Sequence, residues 1–183
     1  MSLFTSTHSA LAFAFNHSER QGVPNLLQRM ADRDREPGRG LVGLDGAAQA
    51  GMILREVFQL PALQRAVIIC KFARPKPCGH CGTLVDTSER VQAIEALAQH
   101  TLSVLAAERP NLALRRALVR RHFGQKVSMQ DLAKQCGVHQ NTATNHWRKV
   151  QKLLKALEHE ALRCLDDVLS SVVATEDEQS AAA

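Results

Sequence analysis

The stretch from Ser128 to Leu157 constrains this chain more than any other. Ser128-Met-Gln-Asp131 has the layout of a capping box: a hydroxyl side chain at a helix start, with an acid three residues on. Met129, Leu132, Ala133 and Cys136 follow at helical spacing and form one apolar face. Gly137 stands where the chain must turn through a left-handed conformation that a Cβ opposes. Val138 is placed to plug the crook of that turn, and His139 marks the start of a second helix running from Gln140. Along it, Ala143, Trp147, Val150, Leu154 and Leu157 recur every three or four residues, which predicts a buried stripe with Trp147 in the core. Ala133 is small where the second helix must come close. Two helices in this register around such a turn make a helix-turn-helix.

The remaining sequence extends the helical reading. Ala47–Leu60 and Pro61–Phe72 read as helices, the second opened by its proline. Asp86-Thr-Ser-Glu89 has capping-box spacing and opens a helix to about Glu108; Leu112–Phe123 follows, ended by Gly124. No useful strand alternation occurs, and aromatics are only 4% of the chain, with no Tyr. A core of Leu, Ala, Val and Ile suits helices. The expected fold is all-α: a helical domain ending in a helix-turn-helix with a long C-terminal helix, preceded by a flexible N-terminal segment.

Four segments are expected. Residues 1–46 form an N-terminal segment, with Pro24–Arg35 a short helix and Glu36–Gly46, carrying four glycines, a linker or tightly bent loop. Residues 47–110 form a helical domain that includes a Cys-x-x-Cys loop. Residues 111–174 carry the helix-turn-helix, and 175–183 an acidic tail expected to stay disordered. Residues 1–46 hold five Arg against five Asp/Glu, a balance that makes a poor polyanion clamp. Phe4, Phe13 and Phe15 lie there, beside Leu11. They suit either a segment that orders against a protein partner or a flap folded onto the helical core.

Charge locates the expected partner. Asn111–Arg163 carries 11 Lys/Arg against 3 Asp/Glu, whereas Cys164–Ala183 carries 5 acids and no base. A concentrated basic segment on a helix-turn-helix predicts double-stranded DNA as the ligand. At the start of the second helix Gln140, Asn141, Thr144, Asn145 and Arg148 face away from the apolar stripe. Gln and Asn pair bidentately with adenine, and Arg with guanine or phosphate, so these five are the base-reading candidates. Lys149 and Lys152 on the flank, with Arg115, Arg116, Arg120, Arg121, Lys126 and Lys134, are the phosphate-contact candidates; Lys155 continues the same flank. His139 and His146 read as polar surface or DNA-facing positions.

Other classes find less support. There are no paired carboxylates, no nucleophile elbow and no phosphate-binding glycine loop, so no enzyme and no cofactor are expected. No apolar run approaches membrane-spanning length and no signal-peptide layout is present. Five cysteines (Cys70, Cys78, Cys81, Cys136, Cys164) at irregular spacing suggest no disulfide framework. The expected setting is reducing and cytoplasmic.

Leu118-Val-Arg-Arg-His-Phe-Gly124, Val127-Ser-Met-Gln-Asp-Leu-Ala133 and Gly137-Val-His-Gln-Asn-Thr142 resemble sigma region 4. They resemble still more the phage Q-type transcription antitermination factors, lysis-gene regulators of the AlpA type among them. The sharp part of the resemblance covers residues 111–160. It implies a helix-turn-helix holding a DNA element near a promoter. It also implies an N-terminal portion that docks on paused RNA polymerase, with sigma factor present during loading, and narrows the RNA exit channel so that terminator hairpins cannot form. A conventional DNA-binding activator, or a sigma-like module that binds polymerase, is the competing expectation.

Cys78-Gly-His-Cys81 has the knuckle spacing of half a zinc site. A structural site takes four ligands, and Cys70, His80 and His100 could complete it only by unusual geometry. Some Q-type factors carry a full four-cysteine finger, from which this sequence departs. The expectation is a turn with idle or buried thiols and no metal. Cys136 and Cys164 default to packing.

Overall fold

The computed structural model describes Phe4 and residues 6–20, 44–105 and 111–173. The fold is all-α. Among the described residues there are seven helices: α1 (Thr7–Arg20), α2 (Leu44–Gln59), α3 (Ala62–Phe72), α4 (Ser88–Val104), α5 (Leu112–His122), α6 (Met129–Gln135) and α7 (Gln140–Val173). A two-residue hairpin, β1 (Lys76–Pro77) and β2 (Leu84–Val85), lies between α3 and α4. No helix among the described residues is long and apolar enough to cross a membrane. The expected helix over Pro24–Arg35 and the acidic tail at 175–183 lie outside the described residues.

The chain divides into two compact units, Leu60–Ala161 and Met1–Gln59 with Leu162–Ala183. In the first, α3 packs on α4, α4 on α5 and α5 on α6. A single cluster of Val67, Leu97, Leu114, Leu118, Leu132, Ala143, Val150 and Leu154 joins all five helices of this unit, and every one of these side chains is buried. Each fully buried Leu or Val contributes about 1.5–3 kcal/mol relative to exposure, so the stripe on α7 is what ties that long helix to the others.

Local signals set the helix ends. Asn111 caps α5 by accepting the Leu114 N–H at 2.9 Å, and Ser128 caps α6 by accepting the Asp131 N–H at 3.1 Å. At α4 the cap is one residue later than the sequence spacing suggests: Thr87, not Asp86, accepts the Arg90 N–H. Asp86 instead pairs with Arg90 at 2.9 Å and Arg120 at 3.5 Å. A nearby guanidinium pair draws the carboxylate away from the helix start, a preference invisible in residue spacing.

Arg90 closes the chain ends around it. Only 7% exposed, it donates to the carbonyls of Cys70 (2.6 Å) and Ala73 at the end of α3, and of Phe123 (3.3 Å) after α5. A cation at two helix C-termini satisfies carbonyls that have no partner within their own helix.

In the other unit α1 packs on α2. Phe4, Ala10, Leu11, Ala14 and Phe15 are buried, as are Ala50, Ile53 and Val57 of α2 and Leu165 and Leu169 near the end of α7. Residues 1–46 were expected either to order against a partner or to fold back; in their described part Phe4 and Phe15 are each 8% exposed, and Phe4 meets Phe13 at 5.3 Å. Ala10, Leu11, Ala14 and Phe15 recur at helical spacing and make an apolar stripe that needs cover. The glycine-rich stretch is also shorter than expected, because Leu44, Asp45 and Gly46 already belong to α2.

Candidate nucleic-acid interface

The segment α6–turn–α7 is built by backbone bonds as well as by packing. At the end of α6 the Val138 N–H donates to Ala133 O at 3.0 Å and the Gly137 N–H to Lys134 O at 3.3 Å, a Schellman closure, with Gly137 at φ +65°. Val138 is half-buried against the core cluster, as a plug in the turn should be. His139 then starts α7: its Nδ1 accepts the Asn141 N–H at 3.2 Å, and its carbonyl accepts from Ala143. The same closure ends α5, where Gln125 N–H donates to Arg120 O and Gly124 takes φ +103°.

On α7 the buried face contains Ala143, Val150 and Leu154, with Trp147 and Leu157 packed half-exposed at its margins. Trp147 therefore lies at the edge of the core rather than within it. Its ring lies beside His122 at 6.1 Å, and Arg121 stacks over it at 5.4 Å. His146 corrects the surface reading more plainly: it is 6% exposed. Position 146 sits three residues after Ala143 and four before Val150, so the helix turns it inward with them.

The base-reading candidates divide. Gln140, Asn141, Asn145 and Arg148 are exposed. Asn141, Asn145, Arg148 and Lys152 follow at four-, three- and four-residue steps and share one outward stripe. Thr144 is half-buried and donates its hydroxyl to Gln140 O at 2.9 Å, so it braces the first turn of α7.

The phosphate-contact candidates divide further. Lys126, Lys134, Lys149 and Lys152 are exposed. Arg115 is 1% exposed, which removes it from any phosphate surface. It follows Leu114 and precedes Leu118 on the core side of α5, the helix on which α4 and α6 pack. Arg116 is held by Glu95 of α4, with Nη2 to Oε1 at 2.9 Å; the guanidinium bond holds the Glu95 carboxyl below its usual range. Arg120 pairs with Asp86, and Arg121 is the residue over Trp147. Of the expected set Arg115 is buried and Arg116, Arg120 and Arg121 have partners within the fold while staying part-exposed; the four lysines are exposed, as is Arg148.

Two further groups escaped the sequence reading. Glu158 meets His122 Nε2 at 3.4 Å and Lys71 at 3.8 Å, which links α7 to α5 and α3. The bond from His122, then the charges of Lys71 and Lys155, hold its carboxyl below the usual value of 4.5. A cavity of about 630 Å³ opens beside the hairpin, lined by Lys71, Arg74, Leu84, Asp86, Arg90 and Arg120. Neither left a local signal, because each joins residues far apart in the chain.

At the hairpin the Cys78 N–H donates to Thr83 O at 2.7 Å and the Gly82 N–H to Cys78 O at 2.9 Å. Cys81 Sγ lies 2.8 Å from Thr83 Oγ1, and that bond, with one from the Thr83 backbone and one from the Cys78 thiol, draws the Cys81 thiol below its ordinary value. Cys70 is the opposite case, fully buried, and desolvation pushes its thiol up to about 12. No group of three or more His, Cys, Asp or Glu gathers as a metal-binding set among the described residues. No protein-family model matches this chain, and no curated protein matches it.

Proposed function

We propose that this chain binds double-stranded DNA through α6, the turn and the start of α7, with α7 entering the major groove as the recognition helix of a helix-turn-helix. One observation carries the reading: Asn141, Asn145 and Arg148 form an outward stripe on α7, with Gln140 beside it, while Ala143, Val150 and Leu154 hold the opposite face in the core. Hydrogen-bonding side chains on an exposed, rigidly held helix start are what base-edge recognition needs. Lys149 and Lys152 continue from that stripe, and Lys126 and Lys134 lie on the preceding elements, where they supply phosphate contacts that set position without reading sequence.

In its sharper form the chain is a transcription antitermination factor that loads on RNA polymerase near a promoter. The motif resemblance over residues 111–160 supports this form. Selection of a binding site from random duplex DNA tests the first reading; in vitro transcription across a strong terminator, from a template carrying that site, tests the second. Site-specific binding with full-length transcripts is the expected result. Binding with unchanged termination would leave a conventional regulator, and polymerase binding without any selected DNA site would leave a sigma-like module.

A further inference from the structure

We propose that the cavity beside the β1–β2 hairpin is a docking site for an extended peptide segment of a partner protein, in which acidic and apolar residues alternate. The segment adds to the open edge of β2 as a third strand. The backbone register of the hairpin shows which edge is available. The Cys78 N–H donates to Thr83 O at 2.7 Å, so Cys78 and Thr83 form a hydrogen-bonded pair. Such pairs alternate with non-hydrogen-bonded ones along an antiparallel ladder. Pro77 stands opposite Leu84, and Lys76 opposite Val85. The Pro77–Leu84 pair is therefore the non-hydrogen-bonded kind, and the backbone groups of both residues point away from the hairpin. On β1 that outward position is a proline, which has no N–H, and Pro75 repeats the block two residues earlier. On β2 it is Leu84, which keeps both its N–H and its carbonyl. Prolines close one edge to a further strand, and the other stays open.

Leu84 also lines the cavity of about 630 Å³, a volume within the range that binding clefts take. The apolar side chains around it are uncovered: Leu84 is 72% exposed, Val85 50% and Val91 44%. All three line this cavity. Large exposed hydrophobics gathered at one cleft mark a contact surface rather than scattered solvent exposure.

Charge selects the occupant. Lys71, Arg74, Arg90 and Arg120 line the cavity against one acid, Asp86. Asp86 is engaged by Arg90 at 2.9 Å and Arg120 at 3.5 Å, and Glu158 reaches Lys71 from α7 at 3.8 Å. Within the lining the positive charges outnumber the negative, and a concave wall of one sign concentrates the opposite charge. A strand with acids at alternate positions meets both features at once. Its carboxylates take one face, toward the cations, and its apolar residues take the other and cover the rim. One of its residues exchanges two backbone bonds with Leu84. A nucleic-acid backbone would satisfy the charge but leave Leu84, Val85 and Val91 in water, so the apolar rim favours a peptide. This inference does not rest on the DNA-binding reading.

The test is selection by the full chain from a displayed library of random linear peptides, followed by calorimetry on one selected peptide. The expected result is a set of sequences in which Asp or Glu alternates with Val, Ile, Leu or Phe. Leu84→Pro removes the outward N–H without touching a ladder bond and should weaken binding about tenfold. Leu84→Ala keeps that N–H and should weaken it less. Lys71→Gln and Arg74→Gln should each weaken it about two- to fivefold and reduce its salt dependence. The Leu84 amide should exchange with solvent more slowly once peptide is bound, a readout on the unaltered chain that stands even where Leu84→Pro disturbs the hairpin. Selection of no peptide, selection of basic sequences, or unchanged exchange at Leu84 would each overturn the proposal. Displacement of the peptide by random duplex DNA would assign the cleft to nucleic acid instead, and displacement by inorganic phosphate would assign it to a small anion.

Discussion

Asn111 donates its side-chain amide to the Cys136 carbonyl at 3.1 Å while its Oδ1 accepts the Leu114 N–H at 2.9 Å. One side chain thereby caps α5 and anchors the turn that follows α6, residues 25 positions away in the chain. Replacing Asn111 with Ala removes a cap and leaves the Cys136 carbonyl unpaired. The expected loss is about 1–3 kcal/mol, read by chemical denaturation. Asn111→Asp keeps the cap but not the donor, and should fall between the two. Equal stability of all three would show that the cross-link carries nothing.

Two glycines should respond with opposite sign. Gly137 has φ +65° and open space around its Cα, so Gly137→Ala meets no atom and costs only backbone strain, about 1–2 kcal/mol. Gly51 lies exposed inside α2, also with open space, and does not need a left-handed conformation. Gly51→Ala should stabilise by about 0.5–1 kcal/mol. Circular dichroism melts of the two variants against the parent check the pair.

Reading and positioning should separate on DNA. Asn141→Ala or Gln140→Ala is expected to cost about 1–3 kcal/mol on the selected site and little on random duplex. Lys152→Gln should weaken both alike and reduce the salt slope of log K by about one. Arg115→Gln should act on folding, since its side chain is buried. Binding titrations at several salt concentrations, with a melt of each variant, distinguish the three outcomes.

Stability should fall in acid through Glu158. Its carboxyl is held below 4.5 in the folded chain, chiefly by the bond from His122. A depressed carboxyl contributes stability that is fully present above the ordinary carboxylate range and is lost as pH drops below it, through the folded value. Glu158→Gln should be less stable near neutral pH, by about 1 kcal/mol, and should lose part of the acid dependence. Denaturation midpoints from pH 3 to pH 7, an interval of about four pH units around the carboxylate range, provide the comparison.

Thiol labelling should follow burial and hydrogen bonding. Cys81 is exposed with its thiol drawn down by Thr83, so it should react first with a disulfide reagent at neutral pH. Cys70, with its thiol pushed up to about 12 by burial, should react only when the core opens. Mass spectrometry of timed digests gives the order. Early labelling of Cys70 would mean that α3 leaves the core readily.

The helical content, the ends of α5 and α6, the Gly137 turn and the apolar register of α7 were all legible in the residues. Each rests on interactions within a few positions along the chain: a cap bonds to the residue three ahead, and a buried stripe repeats every turn. The exposed polar stripe of α7 follows from that register, because fixing one face of a helix fixes the other. Tertiary packing decided the fates of long polar side chains and of the chain before α2. Arg115, Arg116, Arg120 and Arg121 are alike in sequence, yet one is buried, two pair with Glu95 and Asp86 and one covers Trp147. Which carboxylate or ring meets an arginine depends on helices α4 and α7, and nothing near residue 115 encodes their approach. The apolar residues of α1 likewise left open what would cover them, and α2 is the element that packs on that helix. A flexible cation or a short amphipathic stretch takes the lowest free energy its neighbours offer, and only the assembled fold determines who those neighbours are.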